Sequence, residues 1–88
     1  MYQIIIKESA LKQMKKLDPS MNRIIKNWIV KNLLDTDNPR LHGKALTGNL
    51  KGIWRYRVGD YRIFADIQED ILTIFIFEVA HRRDVYKK

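Results

Sequence analysis

Between Ile53 and Ile67 the chain reads Ile-Trp-Arg-Tyr-Arg-Val-Gly-Asp-Tyr-Arg-Ile-Phe-Ala-Asp-Ile, two alternating runs around a Gly-Asp pair. This pattern leaves room for little besides a β-hairpin. With Gly59-Asp60 as the turn, Val58 lies opposite Tyr61 and Arg57 opposite Arg62, and Arg55 follows on the same face. Like charges set opposite each other destabilise a sheet. A cluster of arginines placed this way is best explained by an anion that it faces, a phosphate above all.

The other face of the hairpin carries Trp54, Tyr56, Val58, Tyr61, Ile63, Ala65 and Ile67. A third strand from Ile71 to Val79, joined around Glu69-Asp70, extends this apolar face with Leu72, Ile74 and Ile76. The arginine face gains Phe64, Phe75 and Phe77, a mixture of guanidinium and aromatic groups suited to phosphates and bases together, or else a hydrophobic patch for a partner protein.

Something must cover the apolar face, and the N-terminal half supplies it. Tyr2 to Ile6 reads as a strand, and a helix capped near Ser9 follows with Leu11, Met14 and Leu17 at helical spacing. Asp18-Pro19 ends that helix and starts another, with Asp18 as N-cap and Pro19 in the first turn. Met21, Ile25, Trp28, Ile29 and Leu33 then form one stripe, the pattern of a helix lying across a sheet and not a cofactor box. From Asp35 to Gly52 the periodicity is lost, and a long loop with a short helical turn is expected. The fold class is α+β: an N-terminal strand, a helical hairpin, then an antiparallel three-stranded meander, with the helices on one face. Residues 1–88 make a single domain.

Composition narrows the chemistry. A chain of 88 residues has one small core, so an active site must lie on a surface or in a shallow groove. There is no cysteine, which excludes disulfides and thiolate metal sites and fits a reducing compartment. No apolar run approaches the ~20 residues of a membrane helix, and the start reads as a strand and not a signal peptide. A cytoplasmic location is expected. The net charge of +7 favours a polyanionic partner, although charge alone also serves solubility.

Other chemistries find little support. His42 and His81 are the only histidines and do not form a ligand pair, so neither a metal nor any other cofactor is expected. Ser9 and Ser20 sit at helix starts where capping accounts for them. No phosphate-binding glycine loop is present, and Asp66 and Glu78 sit on strands where solvation or ion pairing explains them.

What remains is the arginine face and the ending Glu-Val-Ala-His-Arg-Arg-Asp-Val-Tyr-Lys-Lys, whose His81, Arg82, Arg83 and Tyr86 can fold back beside Arg55, Arg57 and Arg62. Taken singly, His81 is equally read as a half-exposed histidine without a role, the basic tail as a solvated end, and Tyr86 as an anchor. Together with Ala10-Leu11-Lys12, Lys16-Leu17 and Leu46-Thr47-Gly48-Asn49-Leu50-Lys51-Gly52, the hairpin and tail resemble the RelE branch of the RelE/ParE toxins of bacterial toxin–antitoxin modules, over almost the whole chain. The resemblance implies a ribosome-dependent endoribonuclease that cuts mRNA at the 30S decoding site, held inactive by a cognate RelB-like antitoxin. It maps basic sheet residues and a C-terminal tyrosine onto Arg55, Arg57, Arg62, Arg82 and Tyr86. Two of these, Arg55 and Arg57, stand where the best-known RelE pattern has lysines. His81 adjoins the tail arginine, and some relatives use a histidine near this tyrosine.

Metal-free RNA cleavage uses the 2′-OH as an internal nucleophile on the adjacent phosphate, which must be aligned, neutralised and served by two proton transfers. Arginines meet the first two needs but stay protonated. His81 is the natural proton-transfer residue, and Tyr86 either donates to the leaving 5′-oxygen or stacks on a base. Lys44, Lys51, Phe64, Phe75, Phe77, Arg83, Lys87 and Lys88 complete the expected RNA and ribosome contacts. Two alternatives stay open: a ParE-like toxin that poisons DNA gyrase by binding, and a non-catalytic RNA- or ribosome-binding module.

Overall fold

The computed structural model describes residues 1–85. Strand β1 (Gln3–Ile6) leads into helix α1 (Glu8–Lys15) and helix α2 (Pro19–Asn32). A two-residue strand β2 (Lys44–Ala45) precedes β3 (Trp54–Val58), β4 (Tyr61–Gln68) and β5 (Thr73–His81), and the short helix α3 (Arg82–Val85) follows. One five-stranded sheet results, ordered β1-β5-β4-β3-β2.

The expected meander is present as β3, β4 and β5. Val58 pairs with Tyr61 and Arg57 with Arg62, as the alternation requires. Two strands are added at its edges. β1 runs parallel to β5, with Ile4 beside Ile74 and Ile6 beside Ile76, so the sheet is mixed and not purely antiparallel. β2 pairs antiparallel with the start of β3, so the long segment expected as a loop also supplies an edge strand.

The two helices cover one face. Ala10, Met14, Ile25, Ile29 and Leu33 pack on Tyr56, Val58, Ile63, Ala65, Ile67, Ile74, Ile76 and Val79. Trp28 and Trp54 are only half-buried at the margin of this core. Tyr56 is fully buried, donates its hydroxyl to the Pro39 carbonyl at 2.6 Å, and lies against Trp28 with ring centroids 5.5 Å apart. Burial pushes its phenol well above the ordinary range, against a smaller downward pull from Arg40, so it remains a donor. Leu72 departs from the expected core. A 3₁₀ turn at Glu69–Ile71 precedes β5, and Leu72 takes the left-handed conformation (φ 48°) at its end, half exposed.

Local chemistry explains the helix starts. Asp18 caps α2, its Oδ1 accepting from the Ser20 N–H at 2.9 Å and from the Ser20 hydroxyl at 2.7 Å. These bonds hold the Asp18 carboxyl below its usual value of 3.8. A depressed carboxylate stabilises the fold above its unfolded pKa, and that contribution is lost as pH falls through the folded value. In an acid titration followed by far-UV circular dichroism, Asp18→Ala should therefore be less stable than the parent at neutral pH, and the difference should shrink below pH 3.8.

Ser9 does not cap α1. Lys7 occupies the cap position, and the Ser9 hydroxyl donates to the Phe77 carbonyl at 2.7 Å. Gln13 Oε1 accepts from the Val79 N–H at 2.7 Å. β1 pairs with β5 only as far as Ile76, and α1 satisfies backbone groups of β5 beyond that point. The reason lies in β5 itself: Phe64 pairs with Glu78 and Ala65 with Ile76, so Phe77 is an extra residue in a bulge.

Candidate nucleic-acid interface

The uncovered face of the sheet carries the arginines. Arg57 is exposed at the hairpin corner, Arg55 is half-buried, and Lys44 pairs directly with Arg55 across β2 and β3. No hydrogen bond or ion pair engages the side chains of Lys44, Arg55 or Arg57 among the described residues. Three like charges thus run along one sheet edge, and among the described residues none of their side chains is in an ion pair, an arrangement that favours an anion from outside.

Arg62 is held by its own turn. It is 8% exposed, and its Nη1 donates to the carbonyls of Gly59 and Tyr61, each at 3.1 Å. The tight turn points these carbonyls back along the strand, where the long side chain can reach them. Its guanidinium is therefore fixed in place before any ligand arrives.

The tail is tied to the same corner. The Arg82 N–H donates to the Asp60 carbonyl at 2.7 Å, and Arg82 Nε lies 3.6 Å from Asp60 Oδ1. Asp60 is thus both a turn residue and the latch that holds Arg82 at the hairpin turn.

His81 sits on the other side. It pairs with Tyr61, and the two rings meet edge-on with centroids 5.2 Å apart on the helix-covered face. Alternation along β5 forces this, because Val79 faces the core and Ala80 faces the arginines. Here His81 lies at the sheet's end beside Lys16, Leu17 and Asp84. Its Nδ1 accepts the Arg83 N–H at 3.2 Å. That bond occupies Nδ1 and leaves Nε2 as the ring nitrogen that can meet another partner.

The aromatic part of the face is partly closed. Phe64 is 8% exposed, while Phe75 and Phe77 are half-buried, and Lys7 Nζ lies 5.7 Å from the Phe75 ring centre. The segment from Leu46 to Ile53 folds over them and leaves an apolar groove beside Arg55 and Glu78. Lys51 lines a neighbouring open cleft with Phe75 and Phe77. Arg83 is exposed on α3, and Tyr86, Lys87 and Lys88 lie outside the described residues.

Two features escaped sequence reasoning. One is the contact of Asp60 with Arg82, which joins residues far apart in the chain. The other is the His42-Gly43-Lys44 segment, held flat on β3 by the Trp54 indole N–H, which donates to the His42 carbonyl at 2.7 Å. The glycine at its centre was the one available signal, and in a loop rich in turn residues it did not stand out.

Among the described residues no group of three or more histidine, aspartate or glutamate side chains is placed to hold a metal, and no helix is long and apolar enough to cross a membrane.

The chain is similar to known toxins over nearly its full length. It is 28% identical over 87 residues to the toxin RelG of Mycobacterium tuberculosis, covering 99% of this chain and 98% of that protein. A chain of the RelBE2 toxin–antitoxin complex from the same organism superimposes with a TM-score of 0.83 at 27% identity, covering 92% of this chain and 98% of the other. The isolated RelE toxin of E. coli shares the fold, with a TM-score of 0.73 at 23% identity over 99% of this chain and 93% of that one. A model of the ParE toxin of type II toxin–antitoxin systems, parDE, matches residues 4–86, so the chain belongs to this family and is a RelE/ParE-type toxin.

Proposed function

We propose that this toxin is a metal-independent endoribonuclease that cleaves mRNA in the decoding site of the ribosome and so inhibits translation. The observation that carries the reading is the hairpin corner, where Arg57 faces Arg62 across the ladder and the Asp60 latch adds Arg82. The likeness to RelG and to RelE structures supports it.

In this reading the 2′-OH gives its proton to a water as its oxygen attacks the adjacent phosphorus, and the bond to the 5′-oxygen breaks as that oxygen is protonated, leaving a 2′,3′-cyclic phosphate and a free 5′-hydroxyl. Arg57 and Arg82 hold the non-bridging oxygens, and the fixed charge of Arg62 stabilises the phosphorane. Arg55 positions the strand. Tyr86 is the group that protonates the leaving oxygen, while His81, which faces the helix-covered side, holds the first turn of α3 through its Nδ1. Lys44, Lys51, Phe75, Phe77, Arg83, Lys87 and Lys88 contact RNA, with Phe64 as a buried support beneath them.

A cognate RelB-like antitoxin is the proposed partner. The groove of Leu46, Leu50, Ile53, Phe64 and Phe77 beside Arg55 and Glu78 fits an amphipathic segment that folds as it docks, its apolar side in the groove and an acidic residue toward Arg55.

Primer extension on a defined mRNA, with and without programmed ribosomes, tests the activity. Position-specific cuts should appear only with ribosomes and fall by about 10²-fold or more in Arg82→Ala. Folded protein that cuts under neither condition but inhibits supercoiling would replace this reading with gyrase poisoning.

A further inference from the structure

Beyond the hairpin corner, the row of positive charge runs across the sheet edge into a second cleft of about 450 Å³, lined by Trp28, Leu41, His42, Lys44, Arg55 and Arg57 with the Gly43 backbone between them. We infer that this cleft is a binding subsite for a nucleotide flanking the scissile phosphate, with Lys44 and Arg55 on its phosphate and the Trp28 and His42 rings against its base or ribose. The inference rests on the nuclease reading for the identity of the strand, but not for the existence of the site.

Three observations support it. The first is charge. Lys44 and Arg55 are directly opposite across β2 and β3, no acid lines the cleft, and neither side chain has an ion-pair partner among the described residues. Such a pair is unfavourable in the free protein, and a bound phosphate reverses the sign of that term.

The second is shape. Gly43 has φ +84°, and a Cβ there would lie 2.3 Å from the Arg55 carbonyl oxygen and 2.7 Å from Trp54 Nε1. The segment therefore lies flush on β3 in a conformation that glycine permits, with the Trp54 bond to the His42 carbonyl closing it from beneath. This holds His42 and Lys44 on either side of the cleft mouth. β2 begins only at Lys44, so the edge of β3 beyond Tyr56 is left uncovered beside Arg57.

The third is the aromatic wall. Trp28 belongs to the core stripe of α2 but is only half-buried, and His42 stands edge-on to it with ring centroids 5.8 Å apart. An indole and an imidazole beside two cations form a surface suited to a base and its phosphate together. Arg57 lines the cleft and also pairs with Arg62, so the cleft adjoins the hairpin corner.

The test is an NMR titration of the ¹⁵N-labelled full chain with a short, fully 2′-O-methylated RNA, which cannot be cleaved by 2′-OH attack, and in parallel with inorganic phosphate. Saturable shifts of the His42 and Gly43 amides and the Trp28 indole N–H are expected with the RNA. Shifts confined to Lys44 and Arg55 are expected with phosphate. Lys44→Glu and the milder Lys44→Gln should weaken the RNA response about ten- to a hundredfold while leaving the rest of the free-protein spectrum in place. Shifts restricted to the hairpin corner, or an RNA response unchanged in both variants, would overturn the subsite. If these shifts occur in a protein that never cleaves mRNA, the site stands and the nuclease reading falls. If cleavage occurs without them, the subsite falls alone.

Discussion

Arg62→Ala should abolish most of the ribosome-dependent cleavage, with a loss of about 10²–10³-fold in kcat/KM, the size expected for removing one preorganised electrostatic stabiliser. The variant also loses fold stability. Arg62 is 8% exposed and bonds two turn carbonyls, and losing hydrogen bonds from a charged donor costs about 1.5–3 kcal/mol. For a domain of this size each kcal/mol lowers Tm by about 4–8 °C. The two effects separate through Arg62→Lys, which keeps the charge but not the planar fork. If the charge acts in the transition state, lysine should restore part of the activity while the turn remains weakened. A protein with Arg62→Ala that melts earlier yet cleaves at the parent rate at low temperature would show that the arginine serves only the turn.

The second large effect is on the scaffold. Gly43→Ala forces a Cβ to within 2.3 Å of the Arg55 carbonyl oxygen at φ +84°. The partner atom is backbone and cannot swing away as a side-chain tip would. The left-handed conformation costs a residue with a Cβ about 1–2 kcal/mol, and relieving the overlap costs about 1–3 kcal/mol more. The expected result is a loss of about 2–5 kcal/mol in urea unfolding, which is a large fraction of the 5–15 kcal/mol typical of a domain. Lifting β2 from β3 is the cheapest escape, so amide exchange should rise first at Lys44 and Leu46. A variant that unfolds at the parent midpoint would contradict the close approach.

How much of the fold local sequence dictates depends on how far apart the deciding residues lie. The β3–β4 hairpin and its arginine register follow from alternation around Gly59-Asp60, and the start of α2 follows from Asp18-Pro19-Ser20. Each of these depends on neighbours in the chain. The apolar stripe from Met21 to Leu33 predicts its own burial for the same reason.

The candidate site was legible only in part. The sheet arginines and the return of Arg82 were expected, but the side taken by His81 was not, because alternation on β5 had to be carried past a bulge whose position depends on packing against β4 and α1. The burial of Phe64 likewise depends on the segment from Leu46 to Ile53, which carries no period of its own.

Residue order and short-range stereochemistry thus settle the hairpin, the two helices, the core face and the basic charge of the opposite face. Tertiary contacts decide the rest: the parallel seat of β1 on β5, the edge strand β2, the held guanidinium of Arg62, and the cleft between Trp28 and Lys44. Each of these joins segments distant in the chain, whose closeness depends on the free energy of the whole fold and not on any local pattern.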